Sequence, residues 1–326
     1  MAKVTVCIPT YNRQKLLKFA IDSVLAQTMT DWEAIVCDDG STDDTPDLLA
    51  GYRDDRIRYL RHPDNIGKSN NMRSGFAAAT GEYFIKFDDD DRLTPEFLEK
   101  TTAILDRDRA VDFVGTDHWL INSDNQRDTE ATTLNSRTWG RESLPPGIVD
   151  NLLEVVFLQQ SFQVGATLFR HQALVEVDFM RPNLQNCEDN DLFVRLALAG
   201  KNAYYLPERL MEYRVHSGQE GTQRAIRYLE DKLQYLEYFQ FESKKLENAR
   251  RARLGHVKLT LGLRSIETGQ TQRGRELLRS SIDSIGSSPK TTLGLILSYI
   301  PLTLRQWIWR SLQNLRAPNY AEKMRQ

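Results

Sequence analysis

The sequence predicts an α/β protein: a mostly parallel sheet with helices on both faces, followed by a helical C-terminal region. Three observations lead there. Short apolar runs alternate with amphipathic segments from Val4 to Phe87, the pattern of successive strand–helix units. Each of those runs ends in polar or acidic residues. From about Thr222 glycine thins out, and Lys, Arg, Glu, Leu and Ala dominate to about Ile285, a helix-forming composition.

The elements follow in order. Residues 4–8 read as a buried strand ended by Pro9. Between Gln14 and Gln27 the apolar residues Leu16, Leu17, Ala20, Ile21, Val24 and Leu25 recur at helical spacing. Trp32–Cys37 is a second strand, followed by the turn 38–41 and a helix from about Thr45 to Tyr52. Ile57–Arg61 is a third strand. A helix over Asn70–Ala79 stops at Gly81. Glu82–Phe87 is a fourth strand, and it runs into Asp88-Asp89-Asp90-Asp91. Further on, strands are expected at Ala110–Gly115, Gly165–Arg170 and Ala203–Leu206, with helices at Leu152–Gln160 and Asp191–Ala199. The polar stretch 122–146 reads as a long loop. We expect one domain over 1–221, in two halves of about 1–117 and about 118–221. The helical region is 222–326, with the boundary near Gly221.

Composition narrows the functional classes. The chain has 43 basic and 45 acidic residues and a formal net charge of −2, against the basic excess of a nucleic-acid binder. Cys7, Cys37 and Cys187 are sparse and odd in number, so neither a disulfide framework nor a zinc site is expected. A reducing, cytoplasmic setting follows. The N-terminal run reaches Pro9 too early for a signal peptide, and no apolar run reaches 18 residues.

In open α/β sheets ligands bind beyond the carboxyl ends of the strands, so those ends are the candidate site. The first ends in Pro9-Thr10-Tyr11-Asn12-Arg13. Tyr11 offers a ring for a base, and Arg13 a fork for phosphate. The second ends in Asp38-Asp39-Gly40-Ser41-Thr42-Asp43. There Asp38 or Asp39 could accept from a base or ribose, and Asp43 or its neighbours could cap the next helix. The fourth ends in the aspartate run. Carboxylates in a row repel one another unless a cation joins them, and an oxygen-rich set suits Mg²⁺ or Mn²⁺ completed by phosphate oxygens. In Cys187-Glu188-Asp189-Asn190-Asp191-Leu192, carboxylates at a helix start could cap it or serve as a general base. His216 closes Tyr213-Arg214-Val215-His216.

Taken together, PTYNR, DDGSTDDT, Asn65-x-Gly67 and FDDDD-x-L-T-P-E-F-L-E occur in an order that resembles glycosyltransferase family 2, the inverting GT-A enzymes. The stretches EDNDLFVRL and YRVH also resemble that family, and the likeness covers roughly 3–218. The resemblance implies a GT-A fold and a nucleotide-sugar donor, most often a UDP-sugar, with a saccharide or lipid-linked acceptor. It implies that Pro9, Thr10, Tyr11, Arg13, Asp38 and Asp39 line the nucleotide pocket, with Asp88 and Asp89 beside the ribose. Asp88-x-Asp90 would be the D-x-D element, its register open by one residue. Asp90, with Asp88 and His216, would hold a divalent metal, Mn²⁺ or Mg²⁺. Asp189 would be the catalytic base, with Asp191 its competitor. Where relatives carry Ala-Arg-Asn this chain has Asn71-Met72-Arg73, leaving Lys68 or Arg73 to meet phosphate.

Two other functional classes fit the pattern less well. A sugar nucleotidyltransferase would carry a Gly-rich, basic loop after the first strand, and that loop has one arginine and no glycine. A non-catalytic scaffold would have no need of the carboxylates. In the tail, His256–Ser284 resembles a single helix-turn-helix repeat with Gly269 in the turn. The segment 290–310, with Leu293–Ile300, Trp307 and Trp309 flanked by Arg305 and Arg310, could dock on the protein or lie peripherally on the inner membrane face.

Overall fold

The computed structural model describes residues 2–216 and 222–313, so the boundary expected near Gly221 lies outside the described residues. The chain divides into two compact units, Met1–His216 and Ser217–Gln326.

The first unit opens with β1 (Val4–Thr10), α1 (Gln14–Leu25), β2 (Trp32–Asp38), α2 (Thr45–Gly51), β3 (Ile57–Arg61), α3 (Lys68–Ala77) and β4 (Tyr83–Lys86). β1 pairs in parallel with β2 and β4, and β2 with β3. Every residue of β1 and β2 is buried, as expected of parallel strands covered on both faces. On one face Val4, Val6 and Ile8 pack with Leu17, Ile21 and Val24 of α1. On the other, Cys7 and Cys37 lie with their sulfurs 3.8 Å apart. There Gly75 of α3 comes so close that a Cβ would stand 2.5 Å from each sulfur.

β1 continues through Pro9 rather than ending at it. The Cys7 carbonyl accepts from the Phe87 N–H, so the odd-numbered residues of β1 face β4. β1–β4 pairing has ended at Cys7–Lys86 when Pro9 is reached. The N–H that proline lacks therefore has no ladder partner to lose.

Next come β5 (Arg92–Leu93), α4 (Phe97–Arg107), β6 (Phe113–Ile121), β7 (Arg127–Asp128), α5 (Thr129–Thr138), β8 (Gly147–Ile148) and α6 (Leu152–Glu154), which widens into a π turn over Val155–Gln159. β9 (Thr167–Arg170), α7 (His171–Glu176), α8 (Glu188–Leu198) and β10 (Ala203–Arg214) complete the unit. The sheet order is β3-β2-β1-β4-β9-β6-β10-β5, with β7 on β6 and β8 on β10. β9 runs antiparallel between β4 and β6, while β6 and β10 are parallel.

Two expectations are corrected here. The stretch 122–146 is not a loop: it contains β7, α5 and a 3-10 turn at Arg141–Ser143. α5 has no apolar stripe because hydrogen bonds dock it. Asp128 caps it at Ala131 N (2.8 Å), Thr132 Oγ1 accepts from Leu120 N (2.9 Å), and Ser136 donates to Asp117 (2.7 Å). The last strand does not stop at Leu206 but runs to Arg214, with register shifts on either side of Arg209.

The second unit is helical: α9 (Thr222–Glu237), α10 (Lys244–Glu267), α11 (Thr271–Ile285), α12 (Pro289–Leu297) and α13 (Leu302–Gln313). α10 and α11 form a hairpin around Gly269, whose φ of +92° suits glycine. A Cβ on Gly274 would stand 2.8 Å from the Gly262 carbonyl oxygen, so the small residues set the approach of the two helices. Leu259, Ile266, Leu278 and Leu297 form the core. No helix among the described residues is long and apolar enough to cross a membrane.

Candidate active site

The strand ends of β1, β2, β4 and β10 bring most of the expected residues to one edge of the first unit. The four aspartates after β4 separate into distinct environments. Asp88 accepts from Lys86 Nζ at 2.5 Å and lies 3.9 Å from Lys68 Nζ. Burial opposes its charge, but the Lys86 and Lys68 ammoniums win and hold the carboxyl well below the usual range. Asp89 accepts from Thr10 Oγ1 (2.7 Å) and Arg13 Nη1 (3.0 Å). Burial, aided by the Asp90 and Asp88 charges, pushes it up to about 6 despite Arg13. Asp90 accepts from Arg13 Nη1 at 2.7 Å and lies 3.1 Å from His216 Nε2. Asp91 turns inward: its Oδ1 takes the Arg214 N–H (2.9 Å), while its buried Oδ2 has no hydrogen-bond partner among the described residues. Burial and its neighbouring carboxylates hold Asp91 well above the usual range, which favours a proton on that oxygen. Arg214, fully buried, donates to the Asp90 carbonyl (2.7 Å) and fixes the turn.

The nucleotide-side residues divide less evenly. Tyr11 is 44% exposed and free to present its ring. It precedes Asn12, whose φ of +52° turns the chain sharply and whose Oδ1 accepts from the Thr42 N–H (2.7 Å). Asp39 accepts from the N–H groups of Ile66 (2.7 Å) and Gly67 (3.1 Å), and burial raises its pKa. Asp38 is enclosed: Ser41 N–H (2.8 Å) and the Tyr59 hydroxyl (2.5 Å) occupy its two oxygens. Pro9 is buried within β1. These two residues shape the loops rather than line open space. Asp43 accepts from Thr45 N–H and Gln14 N–H, joining the starts of two helices.

The start of α8 lies beside this cluster. Lys68, first residue of α3, makes a 2.7 Å ion pair with Glu188 and so links α3, Asp88 and α8. Asp189 follows directly. Its pKa is raised, by burial first and then by the Glu188 charge. Asp191 is fully buried and held by Arg181 (2.9 Å) and Arg195 (2.7 Å). Arg73 is turned away, donating to the carbonyls of Asp178 and Met180. Lys86 and Arg214 were not expected from sequence, and Glu188 only as one of the carboxylates at the start of α8. Lys86 had a visible signal, a lysine closing the apolar run Tyr83-Phe84-Ile85.

Among the described residues no group of three or more His, Cys, Asp or Glu side chains is arranged to hold a metal. The donor set nevertheless suits a shared ion. Arg13 and His216 both meet Asp90 at Oδ2. A hard carboxylate and an imidazole then stand side by side, and such ions commonly take one or two protein ligands and complete their shell with phosphate and water. A cage built from protein alone does not fit; Asp90 and His216 would supply two ligands to an ion whose shell other oxygens complete.

This fold, with its acidic strand ends, is the GT-A fold of the solved structures it resembles. The description "Glycosyl transferase family 2" matches residues 5–151. The chain is 30% identical over 222 residues to "Putative glycosyltransferase EpsE" of Bacillus subtilis, spanning 66% of this chain and 74% of that protein. It is 42% identical over 96 residues to the "GalNAc(5)-diNAcBac-PP-undecaprenol beta-1,3-glucosyltransferase" of Campylobacter jejuni, covering 28% of this chain and 31% of the relative. Staphylococcus aureus TarS 1–349, solved with UDP-GlcNAc, shares the fold with a TM-score of 0.61 at 16% identity, over 96% of this chain and 93% of that one. A Pyrobaculum calidifontis mannosyltransferase solved with GDP-Man and Mn²⁺ gives 0.58 at 17% identity, over 96% and 87%. The chain belongs to glycosyltransferase family 2 and is a glycosyltransferase.

Proposed function

We propose that this enzyme moves a sugar, with inversion, from a UDP-sugar to a hydroxyl of a saccharide or lipid-linked acceptor. The observation that carries the reading is Asp189: a half-buried carboxyl with a raised pKa, one residue from the Glu188–Lys68 pair that reaches Asp88. Asp189 takes the acceptor proton as that hydroxyl attacks the anomeric carbon opposite the leaving group. Lys68 and Arg13 face the departing diphosphate with positive charge, where negative charge grows. Tyr11 and Asp39 receive the nucleotide base. Asp90, with Asp88 and His216, holds a divalent cation, Mn²⁺ or Mg²⁺, which supplies Lewis-acid stabilisation of the diphosphate when bound. A UDP-sugar is supported by the neighbour solved with UDP-GlcNAc, and a lipid-linked acceptor by the undecaprenol-linked substrate in the Campylobacter relative's name.

The test is a screen of nucleotide sugars for release of the nucleoside diphosphate, with and without EDTA. UDP release that needs the metal and scales with acceptor supports the reading. Full activity in excess EDTA removes the metal from it, and pyrophosphate release from a nucleoside triphosphate replaces it with nucleotidyl transfer.

We place the enzyme in the cytoplasm, peripherally on the anionic inner face of the cell membrane. On α12, α13 and their connection Leu293, Ile296, Tyr299, Leu302, Leu304 and Trp307 are exposed, Tyr299 and Trp307 by 70% and 67%. No acidic residue occurs between Asp283 and Glu322, while Lys290, Arg305, Arg310 and Arg316 do. Apolar and aromatic groups beside uncompensated basic sequence suit an interfacial helix. The side chains of Trp309 and Arg310, also expected there, lie outside the described residues. Arg305 faces inward, donating to the carbonyl of Ile300 (2.8 Å), so it does not contribute to that surface.

A further inference from the structure

A cleft of about 760 Å³ opens in the first unit, lined by residues different from those assigned to the donor and metal. That volume falls within the range of small-molecule sites, ~300–1,000 Å³. It sits where the outer edge of β10 is unpaired. β8 pairs with β10 at Tyr204 and Tyr205, and β5 at Met211 and Glu212, leaving residues 206–209 between them without a strand. Both register shifts of β10 bracket Arg209. Bulges of this kind re-aim a side chain, and here the side chain lines the cleft.

Arg209 is the least satisfied cation of the region. Its side chain is 26% exposed, and its contact with an acid is a 3.5 Å approach of Nε to Asp117 Oδ2. Asp117 is already engaged by Arg141 at 2.6 Å and Ser136 at 2.7 Å. Neither terminal nitrogen of Arg209 meets an acceptor among the described residues. The guanidinium carbon lies 4.7 Å from the Trp119 ring centre, and Tyr205 contributes a second ring to the wall.

The charges of the lining nearly cancel. Arg127, Arg141 and Arg209 face Asp117, Glu96, Glu142 and Glu208. Lys100 further neutralises Glu96 and Glu208, and Arg137 neutralises Glu142. No anion-attracting field results. What remains is a dense set of planar donors and acceptors around two aromatic rings, which suits a neutral polyhydroxyl ligand. Arg209 lies five residues before Arg214, the residue that holds the Asp90 turn. At about 3.3 Å per residue that is roughly 16 Å. The distance is too long for the reacting sugar and suitable for units further along a chain.

We propose that this cleft is a subsite for the distal units of a neutral saccharide acceptor, with Arg209 as its principal hydrogen-bond donor. The placement rests on the glycosyltransferase reading above; the binding itself does not.

The test is calorimetry with a glucose hexamer and an N-acetylglucosamine hexamer, each against its monosaccharide. It is run on the wild type, Arg209→Met and Arg209→Lys. Expected is binding of at least one hexamer to the wild type, about tenfold weaker in Arg209→Met, which corresponds to ~1.4 kcal/mol. Arg209→Lys should recover part of it, and the monosaccharides should bind all three proteins alike. Release of UDP from donor without acceptor is measured in parallel. It should be equal in wild type and Arg209→Met, which shows that the variant is folded. If the wild type releases no UDP, the donor reading fails while the hexamer result stands, and matched melting curves then serve as the folding control. The proposal is overturned if neither hexamer binds the wild type, if Arg209→Met binds as tightly, or if inorganic phosphate displaces the hexamer.

Discussion

Asp189 and Asp191 stand two residues apart on one helix, and their surroundings separate them. Asp191 is saturated by Arg181 and Arg195, whereas Asp189 accepts from its neighbour Asn190 and keeps a raised pKa. Replacing Asp189 by Asn should lower turnover ~10²- to 10⁴-fold with donor affinity nearly intact. Replacing Asp191 by Asn should instead destabilise the fold by about 3–5 kcal/mol, the cost of stranding buried partners. Turnover and chemical denaturation on both variants decide it; the base assignment moves if Asp189→Asn keeps full turnover. A carboxylate base works ionised, so the acidic limb of the rate profile should lie above the ordinary carboxylate range. His118 gives a second pH prediction. Burial, and then the nearby Arg141 charge, lower its pKa to about 3. Between about 3 and the ordinary imidazole value near 6.5 the unfolded chain holds a proton that the folded chain does not. Stability is therefore full above that window and falls as pH drops through it. Denaturation midpoints measured across the window should flatten in His118→Gln; an unchanged slope would show that other groups set the acid limit.

At the scale of the element, α3 carries both packing and chemistry. Its Gly75 lets the helix meet Cys7 and Cys37, and its Lys68 reaches Glu188. Gly75→Val should cost about 1–3 kcal/mol by overpacking, and part should return when Cys7 and Cys37 are both changed to Ala. Thermal or urea unfolding of the three proteins checks this, and an undiminished Gly75→Val would mean that α3 shifts freely on the sheet. Legibility also differs between elements. β1 and β2 could be read from apolar runs because the sheet buries them. α4 had a usable stripe in Phe97, Leu98, Ile104 and Leu105, although we assigned no helix there from sequence. α5 had none, since Thr132 and Ser136 dock it by hydrogen bonds that no hydropathy pattern reports. The length of β10 was hidden by Pro207 and the bulge at Arg209.

For the whole molecule, the proposed membrane contact makes a direct prediction. The 326-residue chain should sediment with vesicles containing anionic lipid and not with neutral ones, and the double change Ile296→Ser, Trp307→Ser should release it while UDP release without acceptor is kept. Equal sedimentation of wild type and variant would assign the exposed face to another partner. The sequence by itself determined the α/β class, the order of the strand-end motifs and the helical tail. Those depend on periodicity and on residues a few positions apart, which a linear chain displays. Only the tertiary structure decided which partners each aspartate meets. Lys86, Lys68, Arg13, His216 and Arg214 reach the run Asp88–Asp91 from four different segments, and Coulomb energy depends on distance in space rather than along the chain. The same holds for Asp191, which Arg181 meets across a turn, and for the cleft around Arg209, which lies where two short strands leave a gap along β10.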